Sequence, residues 1–123
     1  MRIVDRKTFL SLPDETLFSK YEPCVFGDLK IKGETVGTND FLTQQICDAI
    51  RCDDSGEFAD ILFSAQETGY SFAMDFDYMG RDGLFDDDQL FAIWETVDII
   101  ALIDRLKILV PNATVRRPPG DEL

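Results

Sequence analysis

Val25-Phe26-Gly27-Asp28-Leu29-Lys30-Ile31-Lys32 decides the fold. Val25, Leu29 and Ile31 fall on one side of an extended backbone, and Asp28, Lys30 and Lys32 fall on the other. This alternation belongs to an antiparallel strand with one covered and one solvated face. Gly27 interrupts it and predicts a bulge. Thr16 to Glu22 reads as the preceding strand, joined through the turn Glu22-Pro23-Cys24. Before that hairpin, Asp5 to Leu12 reads as a short helix capped by Asp5 and stopped by Pro13.

After the hairpin, residues 33–39 form a turn-rich connection. Residues 40–46 are assigned to a third strand, although the apolar spacing from Phe41 to Ile50 also fits a helix. Asp54, with Glu57 three residues on, starts a helix that Gly69 ends. Phe58, Ile61, Leu62 and Ala65 make its core-facing stripe. Phe72, Met74, Phe76 and Tyr78 alternate with Asp75 and Asp77, which predicts a fourth strand with the aromatics inward. Leu90 to Trp94 is apolar on both faces and reads as an interior strand.

The last helix spans about 97–110, with Thr96 as its cap. Ile99, Leu102, Ile103, Leu106, Leu109 and Val110 form the arc expected to meet the core. Ile100 and Ile108 lie on another face with Asp104 between them. They are candidates for an edge contact within the chain, or for an apolar partner or homodimer contact. The expected fold is α+β: an antiparallel sheet of about five strands packed with two main helices. It forms a single domain over residues 1–111, followed by a flexible tail over 112–123.

The charge is regional. Of 24 acidic and 12 basic residues, fourteen acids and only two bases lie between positions 48 and 98. That segment carries the whole net charge of −12. Such a field repels nucleic acid and anionic membranes and speeds encounters with basic surfaces. It equally serves plain solubility. The candidate partner-binding residues are Asp53, Asp54, Glu57 and Asp60 on the first long helix, Asp75 and Asp77 on the fourth strand, and Asp82, Asp86, Asp87 and Asp88 in the loop after it.

The chain contains no histidine, which excludes Ser-His-Asp and Cys-His catalysis and His-based zinc sites. Cys24, Cys47 and Cys52 are odd in number and form no CxxC pair, as suits reduced thiols in a cytoplasm. Met1 to Lys7 lacks the apolar centre of a secretory signal, and no apolar run is long enough to span a bilayer. Residues 75–86 place acids at positions 1, 3 and 12 and glycine at position 6, as in a calcium loop. Met79 at position 5, Asp82 at position 8, the short Asp86 at position 12 and the strand-like flanks depart from that pattern. The expectation is a non-enzyme with no metal and no cofactor.

Two stretches carry a resemblance: residues 24–33, and Gly80-Arg81-Asp82-Gly83-Leu84-Phe85-Asp86-Asp87-Asp88-Gln89-Leu90-Phe91-Ala92-Ile93-Trp94. They resemble small acidic proteins encoded by phages and prophages, most of which have no assigned function. The resemblance covers most of residues 3–109 and contains no catalytic or binding motif. Small acidic phage proteins include anti-CRISPR and anti-restriction inhibitors, some of them nucleic-acid mimics. The resemblance therefore implies an inhibitor in the bacterial host cytoplasm. Its acidic surface would occupy the basic nucleic-acid-binding face of a host-defence complex. The alternative is a phage accessory or assembly protein that acts through apolar contacts.

Overall fold

The computed structural model describes residues 1–111, so the expected tail lies outside the described residues. The elements run β1 (Arg2–Val4), α1 (Arg6–Leu10), β2 (Thr16–Glu22), β3 (Val25–Val36), β4 (Asp40–Gln45), α2 (Ser55–Thr68), β5 (Gly80–Arg81), β6 (Leu90–Ile93) and α3 (Thr96–Lys107). The fold is α+β, with one antiparallel sheet in the order β1-β6-β2-β3-β4-β5. Strands β2 to β5 form a meander, and β6 returns to fill the slot between β1 and β2.

The core is a group of phenylalanines beneath a five-residue helix. The Asp5 carboxylate accepts the Thr8 N–H at 2.8 Å and starts α1. This helix presents Phe9, which stacks flat on Phe91 at 3.8 Å and meets Phe18 and Phe41 at 4.7 and 4.9 Å. These four rings and Ile93 are buried, with Val4, Leu10 and Leu12 packed round them. Each buried ring contributes about 2 kcal/mol relative to exposure. Arg6 is buried beside Phe9, and its guanidinium lies over the Phe41 ring at 5.7 Å.

Gly27 does mark a bulge. Lys20 of β2 faces both Gly27 and Asp28, because Ser19 pairs with Leu29 and Tyr21 with Phe26. A Cβ on Gly27 would lie 3.1 Å from the Lys20 carbonyl oxygen, so a side chain there would push the two strands apart by a few tenths of an ångström. A second irregularity, between Lys32 and Thr35, carries β3 on to Val36, past the expected end at Lys32. The turn is thereby confined to residues 37–39. Strand β4 resolves the ambiguity over Phe41 to Ile50 in favour of a strand, while the helical turn expected after it does not form and residues 46–54 are an irregular connection.

Lys32 overturns its assignment to the solvated face, for it is fully buried. Its face of the sheet, shared with Phe18 and Ile93 through the β2–β3 and β2–β6 registers, is the one α1 covers. The Lys32 Nζ donates to the carbonyls of Leu12 and Gly33 and to the Thr35 hydroxyl, at 2.9–3.1 Å. Those three acceptors replace the ammonium's water shell. Burial pushes its pKa below the usual lysine value, partly offset by Asp14.

The strand expected over 72–78 does not form. The Asp75 carboxylate captures the Asp77 N–H at 2.9 Å, a side-chain turn that competes with an extended ladder. Met74, Phe76 and Tyr78 are exposed instead of buried, and pairing with β4 begins only at Gly80. In α2, Asp54 caps the Glu57 N–H at 2.8 Å and Gly69 ends the helix in the left-handed conformation, as expected. In α3 the cap is Glu95 in place of Thr96, and the Asp98 carboxylate reaches back to the Glu95 N–H at 3.0 Å.

Candidate protein-binding surfaces

Loop 82–88 is fixed by basic residues from elsewhere in the fold. Lys20 pairs with Asp82 at 2.6 Å, leaving the Asp82 side chain only 3% exposed. Asp40 is buried and accepts from Arg81 Nε at 2.8 Å and from the N–H groups of Gly83 and Phe41 at 2.9 Å each. Burial alone would raise the Asp40 pKa. The two N–H donors and the Arg81 guanidinium outweigh it and hold the carboxyl below its usual range. Arg6 donates to Asn39 through Nε at 2.8 Å and Nη2 at 2.6 Å, and reaches the Asp86 carbonyl at 3.4 Å. Asn39 donates in turn to the Asp87 carboxylate at 3.3 Å.

The acidic candidates therefore divide. Asp53, Asp54, Glu57, Asp60, Asp77, Asp86, Asp87 and Asp88 are exposed. Asp82 is spent on Lys20, and Asp75 is half-buried and paired with Arg51 at 3.3 Å. Asp75 meets α2 residue Phe58 round one cavity, whereas 82–88 is tied to Lys20, Arg6 and Asn39. Among the described residues, no three His, Cys, Asp or Glu side chains converge as a metal-binding group. The carboxylates of the calcium-like pattern are engaged locally: Asp75 with Arg51 and Asp77, Asp82 with Lys20, and Asp86 with the Asp88 N–H. Cys24, Cys47 and Cys52 are free thiols. No described helix is long and apolar enough to cross a membrane.

The larger surprise is apolar. No residue of α2 or α3 is fully buried. In α3 the covered side holds Ile99 and Leu102, with Val110 just beyond it. Ile103, Leu106 and Leu109, expected in the core, are exposed. So are Val97 at 71%, Ile100 at 53% and Ile108 at 76%. Val97 also lines an open groove of about 640 Å³ with Leu12, Leu17, Ile93, Trp94 and Ile99, rimmed by Arg2 and Glu15. Glu15 holds a positive φ of 65° at that rim, a conformation non-glycine residues seldom adopt. The sequence signal for this surface is the circumference of α3. Apolar residues occupy more of it than one sheet contact can cover.

Compared with known protein families, with curated proteins and with solved structures, the chain matches none.

Proposed function

We propose that this protein is a non-catalytic binding module that captures a protein partner through α3 and the adjoining groove. One observation carries the reading: Val97, Ile100, Ile103, Leu106 and Ile108 stand in solvent along a single helix. Large apolar residues concentrated in solvent on one element in this way point to an interaction site. The occupant that fits is an apolar helix or extended segment, with Val97 and Trp94 at the groove as anchors. In the phage setting implied by the resemblance, this is an accessory or assembly protein working in the bacterial cytoplasm.

A second reading rests on the exposed carboxylates. Asp53, Asp54, Glu57, Asp60 and Asp86 to Asp88 face solvent within a segment of net charge −12. They would occupy a basic nucleic-acid-binding face of a host-defence complex such as CRISPR-Cas, as a nucleic-acid mimic.

Tagged protein is used to capture partners from the bacterial host, with mass spectrometry, across a salt series. The apolar reading expects a partner retained at high salt and lost with Ile100→Asp. A partner retained by Ile100→Asp rejects that reading. The mimic expects steep loss with salt and loss when Asp86, Asp87 and Asp88 are all changed to Lys. Undiminished binding by the triple variant rejects the mimic.

A further inference from the structure

We propose that Leu84 and Phe85, at the tip of loop 82–88, form a docking knob for the apolar face of a cationic amphipathic helix on a partner protein. This surface does not involve α3 and is independent of the binding role assigned to that helix. It shares Asp86 to Asp88 with the charge-only reading but needs the two apolar side chains as well.

The loop is built inside out. Lys20 stands opposite Phe91 in the β2–β6 register, so it lies on the face of the sheet that carries the phenylalanine core. Arg6 meets the loop from α1, which covers that same face. A loop laid over a core ordinarily turns its apolar side chains down and its charges out. Here the Asp82 side chain is paired with Lys20 and only 3% exposed, whereas Leu84 is 68% and Phe85 50% exposed.

The backbone holds this inversion in place. Asp40 accepts the Gly83 N–H at 2.9 Å and Arg6 reaches the Asp86 carbonyl at 3.4 Å, so Leu84 and Phe85 stand between two anchored points. Phe85 holds a φ of 53°, a left-handed conformation that costs a phenylalanine free energy and persists only where its surroundings impose it. Two large apolar side chains fixed in solvent lose little freedom when a partner covers them, which is what a binding anchor requires.

The neighbouring charges select the partner. Asp86, Asp87 and Asp88 follow directly and are exposed, so one flank of the knob is anionic. It attracts a basic surface and repels anionic lipid. A helix with an apolar stripe edged by lysines supplies both halves, hydrocarbon for Leu84 and Phe85 and ammonium groups for the carboxylates.

Isothermal titration calorimetry and 15N–1H NMR on the full chain would use an amphipathic leucine–lysine peptide as probe and a lysine-only peptide of equal charge as control. The amphipathic peptide should shift the amides of residues 82–88 saturably and bind about tenfold more tightly than the control. Phe85→Ser should remove that advantage and leave the control unchanged. Phe85→Gly should lose binding likewise but keep or raise the melting temperature, because glycine accepts the left-handed backbone. Absence of shifts at 82–88, equal binding of the two peptides, or undiminished binding by Phe85→Ser overturns the proposal. So does a melting temperature that falls with Phe85→Gly, since the ring would then serve the fold.

Discussion

Phe9→Ala tests the placement of the core. Phe9 is the ring through which α1 holds the sheet, in contact with Phe18, Phe41 and Phe91 at once. Truncating a fully buried phenylalanine costs about 3–5 kcal/mol through lost transfer energy and the cavity left behind. The stacked and tilted pairs place this site toward the upper end. Domains of this size have about 5–15 kcal/mol in total, so the variant should retain a fold with little margin. At roughly 4 °C per kcal/mol, its melting temperature should fall by about 15 °C. Urea unfolding followed by fluorescence of Trp94, the single tryptophan, reads this directly. The midpoint should move sharply while the slope stays constant. Phe9→Leu should lose much less. A loss below about 1 kcal/mol for Phe9→Ala would mean that α1 does not cover the rings, and the described core would be wrong.

Three further outcomes are expected. Asp40→Asn should cost about 2–4 kcal/mol at neutral pH by weakening the charged bonds to Arg81 and Gly83. The parent's Asp40 contribution is present above the ordinary carboxyl pKa of 3.8 and fades as pH falls through the lower folded value. Variant and parent should therefore converge in acid, as a pH series of urea melts would show. Lys32 binds its proton more weakly folded than unfolded, so its contribution to stability should rise with pH between its lowered folded pKa and 10.5. Lys32→Met should remove that alkaline rise, and an unchanged pH profile would contradict the burial. Gly33→Ala would set a Cβ 2.7 Å from Met79 Sδ and 2.9 Å from Leu42 Cβ, costing about 1–3 kcal/mol. Adding Met79→Ala should return part of that loss, measured as a thermal-shift double-mutant cycle.

The sequence is most legible where one local rule decides. Asp5 and Asp54 cap their helices, Gly69 closes α2, and Gly27 sits where a bulge needs no side chain. It is least legible where a distant element decides. Alternation in β3 separated Leu29 and Ile31 from Lys30 and Lys32, but the bulge at Gly27 turns Val25, expected beside Leu29, to the lysines' side, and nothing in that strand says which face α1 will cover. Lys32 consequently ended beneath Phe9, while Leu29 and Ile31 remain half-buried. The 72–78 segment has the spacing of a strand, but Asp75 supplies a competing local bond. Among the acidic candidates, composition could not separate Asp82, neutralised by Lys20, from the exposed Asp86, Asp87 and Asp88. In α3 the arc expected to meet the core is covered only at Ile99, Leu102 and Val110, and Ile103, Leu106 and Leu109 remain exposed.

The place of β6 between β1 and β2 has a consequence for synthesis. β1 pairs with nothing until residues 90–93 exist, and Phe9, Phe18 and Phe41 lack their fourth ring until Phe91 arrives. A chain leaving the ribosome N-terminus first therefore carries three unshielded phenylalanines through most of its translation. Closing the core joins positions more than eighty residues apart, a long-range step that slows folding relative to a helical domain of equal length. During that interval the long acidic segment between Phe41 and Phe91 is also being made, and like charge of that kind opposes association between unfinished chains.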